Sequence, residues 1–278
     1  MSKVKISIVI VSYNTKEVLQ NCIESLYKTE KKACFELVVV DNASQDETIG
    51  YLDNLVKEKD NIQLIKNDYN AGFGKATNQG IRISKAKRIL LLNSDTAVGK
   101  NTLGQLISFS KKHNDDSILA PTLLNADGTT QASCFRFPTI KGAVAEYWFG
   151  KENRFSKYIP EGITPKVVDA AVGAALLVPR KVIDKIGFLD ERFFMYFEDI
   201  EYCRRAKKAG VKVIYLPLVK ITHLHGESGK ARPNKTNSWL VQSSRIYHGR
   251  LSYLLLTLVL RVGTSKFFRT KHVKKNSK

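Results

Sequence analysis

The sequence predicts an α/β protein built on a mainly parallel sheet flanked by helices, and three observations support this fold class. The 278 residues are 43% hydrophobic, which suits one large domain with an appendage. Short β-rich runs alternate with stretches of helical length through the first hundred residues, as in right-handed βαβ units. Polar clusters follow several of these runs, where open α/β sheets bind ligands.

The predicted elements follow from these runs in chain order. The first four predicted strands cover residues 6–11, 36–40, 62–65 and 88–92. Asn14 and Ser44 each stand three residues before a glutamate, which predicts capping boxes at two helix starts. Further along, residues 170–179 and 211–216 are predicted as strands, and residues 197–209 as an amphipathic helix that ends at Gly210. The less regular region 118–166 is expected to form a partly mobile excursion from this regular arrangement.

Three polar clusters directly follow the first, second and fourth predicted strands. They are Ser12-Tyr13-Asn14, Asp41-Asn42 and Asn93-Ser94-Asp95. Because ligands lie beyond the carboxyl ends of the strands in such sheets, we expect the clusters to meet at one edge. Asp95 offers the hard oxygen that a divalent cation bridging two phosphates needs, although aspartate after a strand is also a common turn former. Asp41 has two similar interpretations, as an acceptor for a pyrimidine NH group or as a turn carboxylate before Ser44.

A glycine-rich segment, residues 70–78, opens a predicted helix and includes Gly72, Gly74 and Asn78. Its backbone NH groups are candidates for approaching a nucleotide. The segment lacks the GxGxxG spacing and does not follow the first strand, which argues against a dinucleotide-binding domain.

The net charge of +19 is concentrated near the carboxyl end. After Glu227 the chain has no acidic residue and twelve basic ones, interleaved with aromatic residues and leucines. Residues 231–278 are therefore predicted to form an amphipathic, basic, helical extension that faces an anionic membrane surface, with simple packing on the domain as the alternative. A nucleic-acid-binding protein is disfavoured because the basic residues form no recognition module.

Membrane-spanning and secretory segments are not expected. The apolar run 6–11 is too short for a signal-peptide core, and the run 251–260 is about half of the roughly 20 residues that a spanning helix needs. The four cysteines have no metal-ligand spacing and suit reduced thiols. These features predict a cytoplasmic protein associated peripherally with the inner face of the cell membrane.

Six motifs in a fixed order resemble family-two glycosyltransferases of the GT-A fold. They are residues 8–14, 38–44, 70–78, 91–95, Gly173-Ala174 and residues 194–199. The resemblance covers about residues 4–230 and looks closest to bacterial rhamnosyltransferases that build cell-surface polysaccharides. It implies a catalytic domain over residues 1–230, with a nucleotide-sugar half of about 1–100 and an acceptor half of about 101–230.

The resemblance also implies roles for individual residues. Ser12, Asn14 and Asp41 would hold the nucleoside, and Asp95 would bind Mn²⁺ or Mg²⁺. The other residues expected around the nucleotide sugar are Tyr13, Asn42, Gly72, Gly74, Asn78, Asn93 and Gly173.

Asp199, beside Glu198, would be the catalytic base, whereas the alternative interpretation makes both carboxylates ordinary first-turn helix residues. His223 matches the position of a metal-binding histidine, with His225 as the alternative. Asn93 stands where the family has the first carboxylate of Asp-x-Asp, a change that either weakens metal affinity or leaves Asp95 as the main carboxylate ligand.

The expected activity is metal-dependent, inverting sugar transfer from a nucleotide-diphosphate donor to a lipid-linked or glycan acceptor. Rhamnose from dTDP-rhamnose is the first choice of donor, and a UDP-hexose is the alternative. A nucleotidyltransferase is disfavoured because its phosphate loop would follow the first strand, where this chain has Ser-Tyr-Asn-Thr. The sequence leaves the oligomeric state open.

Overall fold

The protein, described from a computed structural model, is defined over residues 4–29, 35–224 and 233–265. Its strands are β1 Ile6–Ser12, β2 Phe35–Asp41, β3 Ile62–Lys66, β4 Arg88–Asn93, β5 Thr96–Val98, β6 Ser117–Leu124, β7 Cys134–Phe135, β8 Lys166–Val168, β9 Ala170–Ala171, β10 Ala175–Pro179 and β11 Lys212–His223. Its helices are α1 Lys16–Thr29, α2 Thr48–Glu58, α3 Phe73–Ile83, α4 Thr102–Lys112, α5 Ile140–Tyr147, α6 Arg180–Ile186, α7 Glu198–Lys208, α8 Pro233–His248 and α9 Arg250–Gly263. These elements confirm the predicted α/β class.

The central sheet has two differently built halves. Its strand order is β3-β2-β1-β4-β10-β6-β11-β5, and β8 pairs with β11. The first four strands in this order are mutually parallel, as predicted. From β10 onward the pairings are mixed, because β10 runs antiparallel to both β4 and β6, while β11 is parallel to β6. Antiparallel neighbours need no crossover helix, so the second half departs from a simple repetition of βαβ units.

The core lies on both faces of this sheet. All seven residues of β2 are buried, and β1 and β4 are buried over most of their length. One apolar layer packs beneath α1, α2 and α4, and the other packs beneath α3, α6 and α7. Continuous burial on both faces explains why these strands are runs of Ile, Val and Leu rather than alternating sequences.

Two sequence predictions about local structure were wrong. Neither predicted capping box forms: Ser44 bonds to Asp41, Asn14 accepts a bond from the Gln45 NH group, and Asp46 binds the Thr48 NH group at the start of α2. The predicted strand 170–179 is two strands separated by residues 172–174. At Asn14, a bond to a residue 31 positions away replaces the local capping pattern.

The last two helices contact the rest of the protein. The indole Nε1 of Trp148 donates to the backbone oxygen of Val259, which joins α9 to the end of α5 over 3.0 Å. Gly263 packs so closely on Tyr147 and Trp148 that a Cβ atom would lie within 2.8 Å of the Tyr147 side chain. Among the described residues, no helix is long and apolar enough to cross a membrane. Cys34 and residues 266–278 with their basic cluster lie outside the described residues.

Candidate active site

The polar clusters predicted at the strand ends do meet at one edge of the sheet. Ser12 pairs with Asp41 in the register of β1 and β2, and Val11 pairs with Asn93 in the register of β1 and β4. The backbone NH group of Asn42 donates to Ser12 over 2.8 Å. The carboxyl ends of three adjacent strands therefore present their polar residues side by side, as expected for an α/β sheet.

Asp41 is completely buried, and its carboxylate accepts three hydrogen bonds within the protein. Its Oδ1 atom accepts from the Ser12 hydroxyl at 3.0 Å and from the Ser44 hydroxyl at 2.6 Å, and its Oδ2 atom accepts from the Ser44 NH group at 2.8 Å. These are the contacts of a turn carboxylate that fixes the shape of the edge. A hydrogen bond from a pyrimidine NH group to the Asp41 carboxylate stays a prediction. Asn14 is exposed beside it, and Tyr13 is half-buried.

Three backbone NH groups of the glycine-rich segment make hydrogen bonds within the protein. The Ala71 NH group donates to the Asn42 side chain, the Gly72 NH group to Asn70, and the Phe73 NH group to the Phe194 oxygen at 2.7 Å. These three NH groups thus have partners within the protein, and contact of the rest of the segment with a nucleotide stays a prediction. Gly72 has a φ of +84°, and a Cβ atom there would lie 2.7 Å from the Phe194 oxygen, so only glycine allows this approach.

Asn78 and Gly74 also face the segment that leads to the predicted catalytic pair. The buried Asn78 amide donates to the Leu189 oxygen at 2.9 Å and to Glu191 at 3.0 Å, and it accepts from the Leu189 NH group. Gly74 lies under the backbone of Phe193. Asn78 and Gly74 thus connect α3 to residues 189–194. Their contact with the nucleotide stays a prediction.

Asp95 and His223 lie together although 128 positions separate them in the sequence. The register of β5 and β11 pairs His223 with Thr96, and the Leu224 NH group donates to the Asp95 backbone oxygen. The Nε2 atom of His223 lies 3.4 Å from an Asp95 carboxylate oxygen, and both side chains are almost fully buried. His225, the alternative ligand, lies outside the described residues.

Gln131 orients this histidine, and sequence reasoning did not identify it. Its side-chain oxygen lies 2.8 Å from Nδ1 of His223, so the ring donates its Nδ1 proton there. In the neutral ring, the Nε2 lone pair then faces the Asp95 carboxylate. Metal-binding histidines are commonly oriented through the other ring nitrogen in this way. In the sequence, Gln131 lies in a short turn after β6, at residues 125–131. Nothing in this local pattern predicts a contact with His223.

The donor set fits a divalent cation such as Mn²⁺ or Mg²⁺. Two acceptor atoms 3.4 Å apart suit neighbouring ligands of one cation, for which ligand distances are about 2.1 Å. Asn93 adds a buried side-chain oxygen with no hydrogen-bond partner among the described residues. Within the part of the chain that the structure describes, no three or more His, Cys, Asp or Glu side chains cluster in a way that could hold a metal ion. The remaining ligands would have to be substrate phosphates and water, which is usual for Mg²⁺.

Glu198 and Asp199 begin α7 after a backbone of unusual conformation. Tyr196 and Phe197 have φ values of +71° and +66°, and such conformations cost bulky residues about 1–3 kcal/mol each. Glu198 is buried, and its Oε2 atom has no hydrogen-bond partner among the described residues. Asp199 is only partly buried and accepts from the Gly173 NH group at 2.9 Å and from the Ile200 NH group at 2.8 Å.

The two carboxyl groups hold their protons differently. Burial raises the pKa of Glu198 well above its ordinary value, and the neighbouring Asp199 charge raises it further. Burial also raises the pKa of Asp199, but the NH groups of Gly173 and Ile200 and the charge of Lys157 oppose that increase. Of the two carboxyl groups, Glu198 therefore keeps its proton more readily and Asp199 loses its proton first. A general base has to be in the deprotonated form, so Asp199 is the better candidate.

Gly173 connects the predicted base to the end of β4. Its NH group binds Asp199, and a Cβ atom at this position would lie 3.3 Å from the Cβ atom of Asp199. The next residue, Ala174, accepts from the Asn93 NH group at 2.9 Å. Residues 172–174 thus bring the start of α7 to the edge that also carries Asp95. The break in the predicted strand 170–179 is the feature that makes this contact possible.

Comparisons with known proteins agree with this architecture. The sequence model of glycosyl transferase family 2 matches residues 7–187, and the chain belongs to this family. A crystal structure of GalNAc-T7 with UDP, GalNAc and Mn²⁺ superposes with a TM-score of 0.65 at 18% identity, covering 80% of this chain and 44% of that one. This similarity concerns the fold, and the protein has the GT-A architecture.

Two curated relatives cover most of this chain. The low-salt glycan biosynthesis hexosyltransferase of Haloferax volcanii is 29% identical over 229 residues, which are 78% of this chain and 66% of the relative. The N-acetylglucosaminyl-diphospho-decaprenol L-rhamnosyltransferase of Mycobacterium tuberculosis is 26% identical over 233 residues, which are 78% of this chain and 75% of the relative. The chain thus spans two thirds to three quarters of the length of these relatives.

Proposed function

We propose that this protein is an inverting glycosyltransferase that uses a divalent cation to transfer a sugar from a nucleotide-diphosphate donor during cell-surface glycan synthesis. The observation that carries the proposal is the meeting, at one sheet edge, of an Asp95–His223 pair and a carboxyl pair in which two backbone NH groups bind Asp199. Membership of glycosyl transferase family 2 supports it.

In the proposed reaction, Asp199 accepts the proton of the acceptor hydroxyl while that oxygen attacks the anomeric carbon. The NH groups of Gly173 and Ile200 hold the carboxylate in place before the reaction. Asp95 and His223 would hold the cation, with Gln131 orienting the imidazole. When bound, the cation would neutralise the leaving diphosphate. The buried surroundings of the carboxyl pair strengthen these electrostatic interactions.

Rhamnose from dTDP-rhamnose remains the preferred donor, and a lipid-linked or glycan acceptor remains the preferred partner. The rhamnosyltransferase named among the relatives supports this choice. A UDP-hexose is the second candidate, favoured by the hexosyltransferase among the relatives. A panel of sugar nucleotides, each incubated with the purified protein and Mn²⁺ or Mg²⁺, tests the choice by measuring donor hydrolysis and transfer. Transfer from a UDP-hexose alone would replace rhamnose in the proposal.

Metal dependence is tested with the active donor. We expect EDTA to abolish turnover and Asp95→Ala to lower it at least about 100-fold, since even residues that support metal ligands typically contribute 10- to 100-fold. His223→Ala should have a similar effect, and Gln131→Ala a smaller one. Full activity of Asp95→Ala in excess EDTA would exclude the metal mechanism. Loss with His225→Ala but not with His223→Ala would move the ligand by two residues.

The same proposal includes peripheral contact with an anionic membrane surface through α9. Four leucines on this helix are exposed, at the spacing that places them along one face: Leu251, Leu254, Leu255 and Leu258. Arg250 and Arg261 flank them, and the chain has no acidic residue after Glu227. An apolar helical face with basic neighbours suits an anionic lipid interface, where each basic residue contributes about 1 kcal/mol.

Vesicle sedimentation tests this contact. We expect the protein to bind vesicles of anionic phospholipid, to be partly released by high salt, and to bind much less as Leu254→Ser/Leu258→Ser. Leu218→Ser is the control, because Leu218, on β11, is at least as exposed as Leu254 and Leu258. Equal binding by the double variant and the wild type would refute the membrane contact. Transfer to a water-soluble acceptor should be unchanged in the double variant.

A further inference from the structure

Helix α8 packs directly on the backbone segment that precedes the catalytic pair. The hydroxyl of Ser243 donates to the backbone oxygen of Met195 at 2.7 Å, and Ser243 is almost fully buried. Tyr196 shares a side-chain hydrogen bond with Thr236. Three turns of α8 therefore lie alongside residues 194–197, the segment that immediately precedes Glu198.

Aromatic contacts continue this packing on both sides of the Ser243 bond. The rings of Phe194 and Trp239 have centroids 4.8 Å apart, and those of Phe197 and Tyr247 are 5.2 Å apart. The guanidinium of Arg204, on α7, lies 4.1 Å from the centroid of the Tyr247 ring. Such pairs restrict the position of a backbone segment more closely than apolar burial alone.

The conformation of the segment needs this support. Tyr196 and Phe197 both have positive φ values, which bulky residues adopt only where their surroundings impose them. On its other side the segment is held through Phe194, whose oxygen accepts from the Phe73 NH group. The segment 194–197 is thus fixed between the glycine-rich region and α8, and its last residue directly precedes the Glu198-Asp199 pair.

We propose that Ser243 and Trp239 are positioning residues, which act through residues 194–197 to hold Asp199 against Gly173 in the geometry needed for proton transfer. This inference rests on the proposed role of Asp199. It assigns α8 to the catalytic apparatus, whereas α9 carries the exposed leucines. A displacement of about 1 Å at a reacting group lowers a rate by up to about 100-fold, so a modest loosening of this segment has a measurable effect.

The test uses the full-length protein and two readouts. Ser243→Ala should lower kcat about tenfold and leave the KM for the donor nearly unchanged, and Trp239→Ala should act similarly. Ser244→Ala, one position along the same helix, and Trp239→Phe, which keeps a ring against Phe194, should behave nearly as the wild type. By hydrogen exchange, the amides of residues 194–199 should exchange about five- to tenfold faster in Ser243→Ala, with the rest of the chain unchanged.

Each contrary result points to a different conclusion. Wild-type kcat and wild-type exchange in both Ser243→Ala and Trp239→Ala would overturn the inference, as would an equal loss in Ser244→Ala. Faster exchange throughout the chain would assign α8 a general role in stability and also overturn it. If the wild type transfers no sugar, the proposed function fails, and exchange at residues 194–199 still decides whether α8 holds the segment.

Discussion

At the carboxyl ends of β1 and β2, the polar side chains bond to one another, whereas at the start of α7 a carboxyl oxygen is buried without a partner among the described residues. Asp41 accepts three hydrogen bonds from Ser12 and Ser44. Glu198 has an unpartnered oxygen and follows two residues with positive φ values. The Asp41 carboxylate thus has its partners within the protein, whereas the start of α7 combines an unpaired carboxyl oxygen with a strained backbone.

This difference separates a region that provides shape from one that provides reactivity. A buried polar group without a partner costs about 1–3 kcal/mol, so it persists only where the surrounding structure is strong enough. The sheet core and the contacts of α8 supply that support around residues 194–199. Carboxyl groups in such surroundings have perturbed pKa values, a common property of catalytic residues.

The largest expected effect is the loss of the base. Asp199→Asn keeps the size of the side chain and an oxygen that can accept from the Gly173 NH group, but it cannot take a proton. We expect kcat to fall by about 10²- to 10⁴-fold and nucleotide affinity to remain near the wild-type value. Initial-rate kinetics and calorimetric titration with the nucleotide would measure the two quantities. An inactive Glu198→Gln together with an active Asp199→Asn would transfer the role to Glu198.

A smaller effect is expected from crowding the base. In Gly173→Ala the new Cβ atom would lie 3.3 Å from the Cβ atom of Asp199, so the carboxylate has to shift by a few tenths of an ångström. We expect kcat to fall about tenfold. Gly50→Ala is the control, because Gly50 lies on α2 with open space around it and should gain about 0.5–1 kcal/mol in stability. An equal kcat for Gly173→Ala and the wild type would show that Asp199 tolerates displacement.

The smallest effect concerns stability and its dependence on pH. Because the pKa of Glu198 is raised in the folded protein, its contribution to stability is fully present below about pH 4.3 and is lost as the pH rises through the folded-state pKa. Glu198→Gln removes this loss. The difference in free energy of unfolding between the variant and the wild type should therefore be about 1 kcal/mol more favourable to the variant at pH 8 than at pH 4. Urea denaturation at both pH values measures the difference. The same change at both would argue against the raised pKa.

Several features of the fold were predictable because they depend on short sequence patterns. The strands predicted at residues 6–11, 36–40, 62–65 and 88–92 all occur, each within one residue of the predicted ends. Continuous runs of β-branched residues are typical of buried parallel strands, so their positions are evident locally. The polar residues that follow them then fall at one edge because parallel strands share a direction.

Other predictions failed or were incomplete where distant residues decide the outcome. The strand predicted at residues 170–179 is interrupted at residues 172–174, where the NH group of Gly173 binds Asp199, 26 positions further along the chain. The capping patterns at Asn14 and Ser44 do not form because both side chains have other partners. The Asn14 oxygen accepts from the Gln45 NH group, and the Ser44 hydroxyl donates to Asp41 and accepts from the Asn14 NH group. Local propensity is a weak determinant when a tertiary hydrogen bond competes for the same group.

The sequence by itself determined the α/β class, the positions of the first strands and the six ordered motifs that identify the family. It also placed Asp95 and Asp199 at the ends of their elements, because strand ends and helix starts follow from neighbouring residues. Only the tertiary structure brought His223 to Asp95, Gln131 to His223, and Ser243 to Met195. These pairs lie 48 to 128 positions apart, and their contacts arise from the register of β5 and β11 and from the packing of α8. Such contacts follow from the burial of whole elements, which no short pattern of residues specifies.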